Sequence, residues 1–400
     1  MKSTVTNETV KSWRLKTKLV RGGTRRSQFG ETSEAIYATS GFVYDEAETA
    51  EARFKGEAQG FTYSRLANPT VAMFEDRMAL IDNAEIARGT ASGMSAVSTA
   101  LLCQLRAGDH VVSSSALFGS CLYILEDVLP RFGITVSFVT GSDLDAWKAA
   151  IKPETRVVFL ESPANPTLDI IDIRAVSKLA HEAGARVVVD NVFATPLLQK
   201  PLELGADVVA YSATKHIDGQ GRCLGGAIVC SKQFFDDRLN QFLRHTGPTM
   251  SPFNAWVLLK GLETLELRIS RMCENAVKIA DFLADNGAVT RVRYPGRKDH
   301  PQHDLAMSQM SAGGTIVTFD APGGREAAFR LMNALQIVDI SNNLGDSKTL
   351  ITHPASTTHQ RLSQAQRDAL EIGPGMMRIS VGLEDVDDLT EDLAQAIKAM

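Results

Sequence analysis

From about residue 85 to residue 215 the chain repeats one pattern, a short apolar run of strand length followed by a segment of helix length. The runs cover 85–90, 110–113, 135–139, 156–160, 186–190 and 207–211. Strands separated by helical crossovers favour a mostly parallel sheet with helices on both faces, so the expected fold class is α/β. Right-handed crossovers place the C-terminal ends of all these strands on one rim, where open α/β sheets bind their ligands. On that rim fall Ser92, Phe118, the stretch 161–166, Asp190 and Lys215.

The last run ends in Ser212-Ala213-Thr214-Lys215, an amine beside two hydroxyls suited to phosphate oxygens. An amine held there can form a Schiff base with a carbonyl cofactor. The stretch alone fits a loop lysine on a solvated edge equally well. Asp190 closes the apolar run Val187-Val188-Val189, and by itself it could cap the next helix. With Lys215 on the following strand the pair gains a chemical meaning: a carboxylate to keep a ring nitrogen protonated, and an amine to hold the ring covalently. Ala91-Ser92-Gly93-Met94 opens a helix directly after a strand and exposes backbone N–H groups to an anion, although small residues also open helices that bind nothing. The glycines of 219–226 follow no strand-to-helix turn with an acidic residue downstream, so they read as a tight active-site turn and not as a dinucleotide loop.

The rest of the chain divides into an arm over 1–65, a ligand-binding domain over 66–255 and a smaller C-terminal α+β domain over 256–400. The arm lacks sustained periodicity, and from Thr9 to Gly30 it holds seven basic residues and no acidic one. That charge fits a transit peptide or a nucleic-acid arm, and the missing periodicity fits an extended arm packing on a partner subunit. Pro69 and Thr70 start a helix in which Val71, Phe74, Met78 and Ile81 recur at helical spacing. One long amphipathic helix is expected over 253–286, then strands over 289–294, 314–319, 337–340 and 377–381. The composition, 44% hydrophobic with a net charge of −5, carries no nucleic-acid footprint, and no apolar run reaches the roughly 20 residues of a membrane span. A soluble, cytoplasmic protein is the expectation. Five scattered cysteines and the loop pair His300 and His303 offer no metal-ligand spacing, so no metal is expected.

Six motifs in order resemble the cysteine/methionine-metabolism family of pyridoxal-phosphate enzymes: cystathionine synthases and lyases, methionine γ-lyase and the homoserine sulfhydrylases. They are Tyr63-Ser64-Arg65 with Asn68-Pro69-Thr70, Thr90-Ala91-Ser92-Gly93-Met94, Glu161-Ser162-Pro163-Ala164-Asn165-Pro166, Val189-Asp190-Asn191, Ser212-Ala213-Thr214-Lys215, and Arg378-Ile379-Ser380-Val381-Gly382-Leu383-Glu384. The resemblance implies an aspartate-aminotransferase-like, fold type I architecture and pyridoxal 5'-phosphate as cofactor. It makes Lys215 the Schiff-base lysine and Asp190 the partner of the pyridine nitrogen. It places Gly93, Met94, Ser212 and Thr214 at the phosphate and Asn165 near the pyridine 3'-oxygen. Tyr63 and Arg65 match residues lent to the neighbouring subunit's phosphate, and Arg378 matches the clamp for the amino-acid carboxylate. A homotetramer built from two dimers with shared active sites is implied as well.

Three positions depart from the family pattern. Phe118 stands where most members carry a tyrosine stacked on the cofactor ring, Ser120 where methionine γ-lyases carry a cysteine, and Asn343 where many have a serine near the substrate carboxylate. Phe118 together with Lys215-His216-Ile217-Asp218-Gly219-Gln220-Gly221-Arg222 looks most like the subgroup that exchanges the succinyl group of O-succinylhomoserine for sulfide in methionine biosynthesis. Cystathionine γ-synthase and O-acetylhomoserine sulfhydrylase are the alternatives within the family, with methionine γ-lyase behind them. Outside it stand a non-catalytic binding protein and a scaffolding oligomer.

Overall fold

The computed structural model describes residues 7–400, so the first six residues of the expected arm lie outside the described part. The described residues form twelve strands: β1 Ile86–Thr90, β2 His110–Ser114, β3 Thr135–Val139, β4 Thr155–Glu161, β5 Arg186–Asp190, β6 Val208–Ser212, β7 Gly226–Cys230, β8 Thr290–Arg293, β9 Ile316–Asp320, β10 Asp339–Ile340, β11 Leu350–Thr352 and β12 Met376–Ser380. The chain divides into two units. The smaller comprises the residues up to Gln104 with Ala210–Thr214 and Arg222–Thr264; the larger comprises Leu105–Val209, Lys215–Gly221 and Leu265–Met400.

In the larger unit the strands follow the order β6-β5-β4-β2-β3, with β2, β3, β4 and β5 paired in parallel. β6 enters beside β5, where the Asp207 N–H donates to the Val187 carbonyl at 2.9 Å. Val157 to Leu160 and Val187 to Val189 are fully buried, each side chain contributing roughly 1.5–3 kcal/mol relative to exposure. The β4–β5 register sets Glu161 beside Asp190, so two carboxylates end neighbouring apolar strands on one face. A second, five-stranded sheet has the order β10-β11-β12-β9-β8. On β12, Met377 and Ile379 pack into a core with Phe319, Leu389 and Leu393. Side chains alternate along a strand, so Arg378 between them points to the opposite face.

In the smaller unit the order is β1-β7-β6, with β1 antiparallel to β7 and Ile86 opposite Cys230. The helix Pro69–Ile81 begins where Pro69 predicts, because Asn68 Oδ1 accepts the N–H groups of Thr70 (2.9 Å) and Val71 (3.4 Å). Val71, Phe74, Met78 and Ile81 are buried as their spacing requires. Arg77 is buried too; its guanidinium pairs with Glu34 at 2.9 Å and donates to the Gly22 carbonyl at 2.7 Å.

Four features differ from the sequence expectation. The stretch 253–286 forms two helices, Pro252–Glu263 and Leu265–Asp285, divided at Thr264, where φ −111° and ψ 6° leave the helical range. β7 follows the expected glycine turn of 219–226 and was not foreseen, and neither was β11. His300, expected in a solvated turn, is buried. No helix among the described residues is long and apolar enough to cross a membrane. No group of three or more His, Cys, Asp or Glu among them is arranged to hold a metal ion.

Candidate active site

In the larger unit Lys215 leaves the end of β6 as a partly buried amine. Its Nζ donates to Asn343 Oδ1 at 2.6 Å. Burial, and then the positive charge of Arg378, brings the Lys215 pKa down to about 8. Asn343 also meets Arg378: its main-chain carbonyl accepts from Arg378 Nη2 at 3.2 Å, alongside the Asn342 carbonyl at 3.0 Å. Arg378 Nη1 donates to Asn165 Oδ1 at 3.0 Å. One asparagine therefore touches both cations, and through Arg378 the network extends to Asn165. Burial lowers the Arg378 pKa to about 10, with the charge of Glu161 opposing, so the guanidinium stays charged at neutral pH.

The two carboxylates at the strand ends are both buried. Asp190 Oδ1 accepts the Val192 N–H at 3.1 Å, and the Cys121 thiol lies 3.9 Å from Oδ2. Glu161 Oε2 accepts the Phe118 N–H at 2.9 Å and so fixes the main chain that carries the Phe118 ring. Burial pushes both acids above the ordinary carboxylate range, and for Glu161 the neighbouring Asp190 adds to it. Two carboxylates this close in an apolar site cannot both ionise without a cation between or beside them. His359 is buried and brought down to about 4, first by burial and then by Arg378, so it is neutral.

The turn after Lys215 is tight for a steric reason. Gly219 sits at φ +68°, and a Cβ there would lie 1.8 Å from Arg268 Nη1. That guanidinium donates to the carbonyl of His216 at 2.7 Å and of Ile217 at 3.3 Å, holding the segment that follows the lysine.

In the smaller unit the helix Gly93–Leu102 starts directly after β1, capped by Ser92 Oγ accepting the Ser95 N–H at 3.1 Å. The N–H groups of Gly93 and Met94 lie in the first turn, which a helix cannot satisfy internally. A Cβ on Gly93 would come within 2.5 Å of Ser212 Cβ and 2.7 Å of its Oγ, so only glycine leaves the hydroxyl against the helix start. The Thr214 hydroxyl and the Gly225 main chain exchange hydrogen bonds at 3.0 and 3.2 Å. Tyr63 and Arg65 form a separate exposed pair, with the guanidinium 5.4 Å from the ring centre and bonded to the Arg244 carbonyl.

The structure thus brings together Lys215, Asn343, Arg378 and Asn165 by direct bonds, and sets Asp190 beside Glu161, which carries Phe118. Asn343, expected near a substrate carboxylate, turns its side chain to the lysine and its carbonyl to the arginine. From sequence Glu161 was placed on the ligand-binding rim but given no role, and His359 was not singled out. Glu161 carried the same signal as Asp190, an acid closing an apolar strand, whereas His359 had none.

A family model for the Cys/Met metabolism PLP-dependent enzymes matches residues 16–398. The chain is 53% identical over 382 residues to an O-succinylhomoserine sulfhydrylase of Mycobacterium tuberculosis, covering 94% of each chain. It is 48% identical to an O-succinylhomoserine sulfhydrylase of Pseudomonas aeruginosa, over 95% of this chain and 94% of that one. Among solved structures, it is similar to a candidate O-acetylhomoserine (thiol)-lyase of Campylobacter jejuni with a TM-score of 0.92 and 32% identity, covering 96% of this chain and 100% of the other. That structure is named with an N'-pyridoxyl-lysine-5'-monophosphate.

Proposed function

The chain belongs to the Cys/Met metabolism PLP-dependent enzymes, and within that family we propose that it replaces the succinyl group of O-succinylhomoserine by sulfide to give homocysteine. It has the fold type I architecture of its solved relatives. The Cγ–O bond breaks and a Cγ–S bond forms; HS⁻ supplies the sulfur and the thiol proton, and succinate leaves with the bonding pair. The sulfhydrylases it resembles supply the substrate assignment. The observation that carries the chemistry is the amine of Lys215 held 2.6 Å from Asn343 Oδ1, while Arg378 donates to the carbonyl of that same residue.

The residues present fit pyridoxal phosphate. Arg378 Nε is buried without a hydrogen-bond partner, which leaves a donor for the carboxylate of the amino-acid substrate that such a cofactor would carry. Asp190 is a buried carboxylate whose ionisation is penalised, and a pyridinium N–H would relieve that penalty. The absence of a side chain at Gly93 lets the Ser212 hydroxyl lie against an open helix start, a combination of donors that suits a phosphate. Gly93, Met94, Ser212 and Thr214 would hold the phosphate, Lys215 the aldehyde carbon, Asp190 the ring nitrogen, Phe118 the ring face and Asn165 the 3'-oxygen. Tyr63 and Arg65 would serve a neighbouring subunit's phosphate in a dimer-built tetramer; their exposure in the single chain supports this. The reading includes a cytoplasmic location.

Pyridoxal phosphate, when bound, supplies an electron sink that makes the bonds at the substrate's α-carbon labile. Arg378 binds the α-carboxylate through its guanidinium fork and fixes which bond at Cα faces the lysine. With its pKa near 8, roughly a tenth of the free Lys215 amine is unprotonated at pH 7, against about 0.03% for an ordinary lysine. Lys215 Nζ can therefore take a proton from Cα, then one from Cβ, and return them after sulfide has added at Cγ. Asn343 Oδ1 accepts from Nζ and limits the directions in which it swings. Asp190 holds the proton on the ring nitrogen. Phe118 offers a flat apolar face and no hydroxyl, which leaves the proton transfers to Lys215.

The test is product analysis of purified enzyme with pyridoxal phosphate, offering succinyl or acetyl homoserine ester with sulfide or cysteine. Homocysteine from the succinyl ester and sulfide is the expected product. Cystathionine, or turnover of the acetyl ester alone, would contradict the assignment.

A further inference from the structure

A cleft of about 880 Å³ opens in the larger unit, and Phe118, Asn342 and His359 are part of its wall. Asn342 ties that wall to the carboxylate clamp, because its carbonyl accepts from Arg378 Nη2. The cleft offers far more room than a homoserine moiety needs. Among the described residues that line it, Arg361 is the sole lysine or arginine. Arg361 is exposed, and its guanidinium lies 5.9 Å from the centre of the Tyr123 ring, which also lines the cleft. No carboxylate of the described residues lies within ion-pair distance of it. Glu126, the one acid in the lining, is met by the Gln366 side chain at 3.5 Å. Burial lowers the pKa of both histidines of the wall, His353 and His359, and so disfavours their cationic forms.

A succinyl ester differs from an acetyl ester by a second carboxylate at the far end of the acyl chain. With the α-carboxylate on Arg378, that second charge needs its own cation in the adjoining space. We propose that Arg361 receives the distal carboxylate of the succinyl group and thereby sets the preference for succinyl over acetyl esters. The proposal rests on the sulfhydrylase reading above and deepens it. Arg361 is a substrate-binding residue remote from the reacting carbon, so its contact is much the same in the ground and transition states and acts mainly on KM. A guanidinium can meet a carboxylate bidentately, but this one is exposed and screened, so the effect is moderate.

The experiment compares wild type, Arg361→Ala and Arg361→Lys holoenzyme, with homocysteine release from each ester and with free succinate as inhibitor of acetyl-ester turnover. Arg361→Ala should raise KM for the succinyl ester about fivefold with kcat within about twofold, leave kcat/KM for the acetyl ester within about twofold, and weaken inhibition by succinate. Arg361→Lys should fall between. An equal loss on both esters, or no change on either, overturns the role of Arg361 while the sulfhydrylase reading stands. A wild type that uses the acetyl ester alone contradicts that reading instead. In that case, succinate inhibition that persists undiminished in Arg361→Ala also overturns the role of Arg361.

Discussion

Replacing Asn343 by alanine removes the acceptor of the Lys215 amine and leaves the main-chain carbonyl that Arg378 uses. A hydrogen bond to a charged group contributes about 1.5–3 kcal/mol, and for a partly buried lysine the lower end applies. At about 1.4 kcal/mol per tenfold change, losing the bond makes the ammonium form harder to keep. The Lys215 titration should therefore move about one pH unit below its value of about 8. Asn343→Asp puts a negative charge at the same place and should move it the other way, above 8. The assay is capture of pyridoxal phosphate by apoenzyme, followed by absorbance across the pH range, since only the neutral amine attacks the aldehyde. The capture rate should rise with pH through the lysine's pKa, with midpoints ordered Asn343→Ala, wild type, Asn343→Asp, and Lys215→Ala should show no such rise. Coincident midpoints in all three would refute the argument that this contact poises the amine.

Other perturbations test other parts of the structure. Gly93→Ala forces a methyl to within 2.5 Å of Ser212 Cβ; overpacking of this kind costs about 1–3 kcal/mol, so a lower melting temperature and weaker cofactor retention are expected, with Ser212→Gly restoring part of the melting temperature. Arg378→Lys keeps a charge but loses the fork that reaches Asn165 and two carbonyls; kcat/KM for the amino-acid substrate should drop about 100-fold or more while the cofactor absorbance band is retained. Glu34 sits beside Lys260 and Arg77, which outweigh the burial that opposes its ionisation and hold it at about 2 instead of 4.5. Its folded pKa is depressed, so its contribution is complete above pH 4.5 and is lost as pH falls towards 2. Glu34→Gln should therefore be less stable at neutral pH and show a shallower acid decline in denaturant titrations.

The central parallel strands β4 and β5 were readable because they are buried on both faces and so read as nearly unbroken apolar runs, as in Val187-Val188-Val189. Asp190 and Lys215 gained meaning only as a pair at neighbouring strand ends. Glu161 closes β4 as Asp190 closes β5, yet its bond to the Phe118 main chain crosses 43 residues and no local pattern announces it. The Lys215–Asn343 contact crosses 128 residues in the same way. β7 hid behind the glycines that precede it, and β11 is only three residues long, too short for an alternation to register. The division at Thr264 was invisible because a single residue leaves the helix while the apolar spacing continues on both sides.

The central claim is that Lys215 holds the cofactor and handles the protons. Borohydride reduction of the holoenzyme, followed by proteolysis and mass spectrometry, tests it most directly. The account predicts a phosphopyridoxyl group on the peptide carrying Lys215 and on no other lysine. A label on a different lysine, or an active enzyme whose Lys215 peptide stays unlabelled, would contradict it.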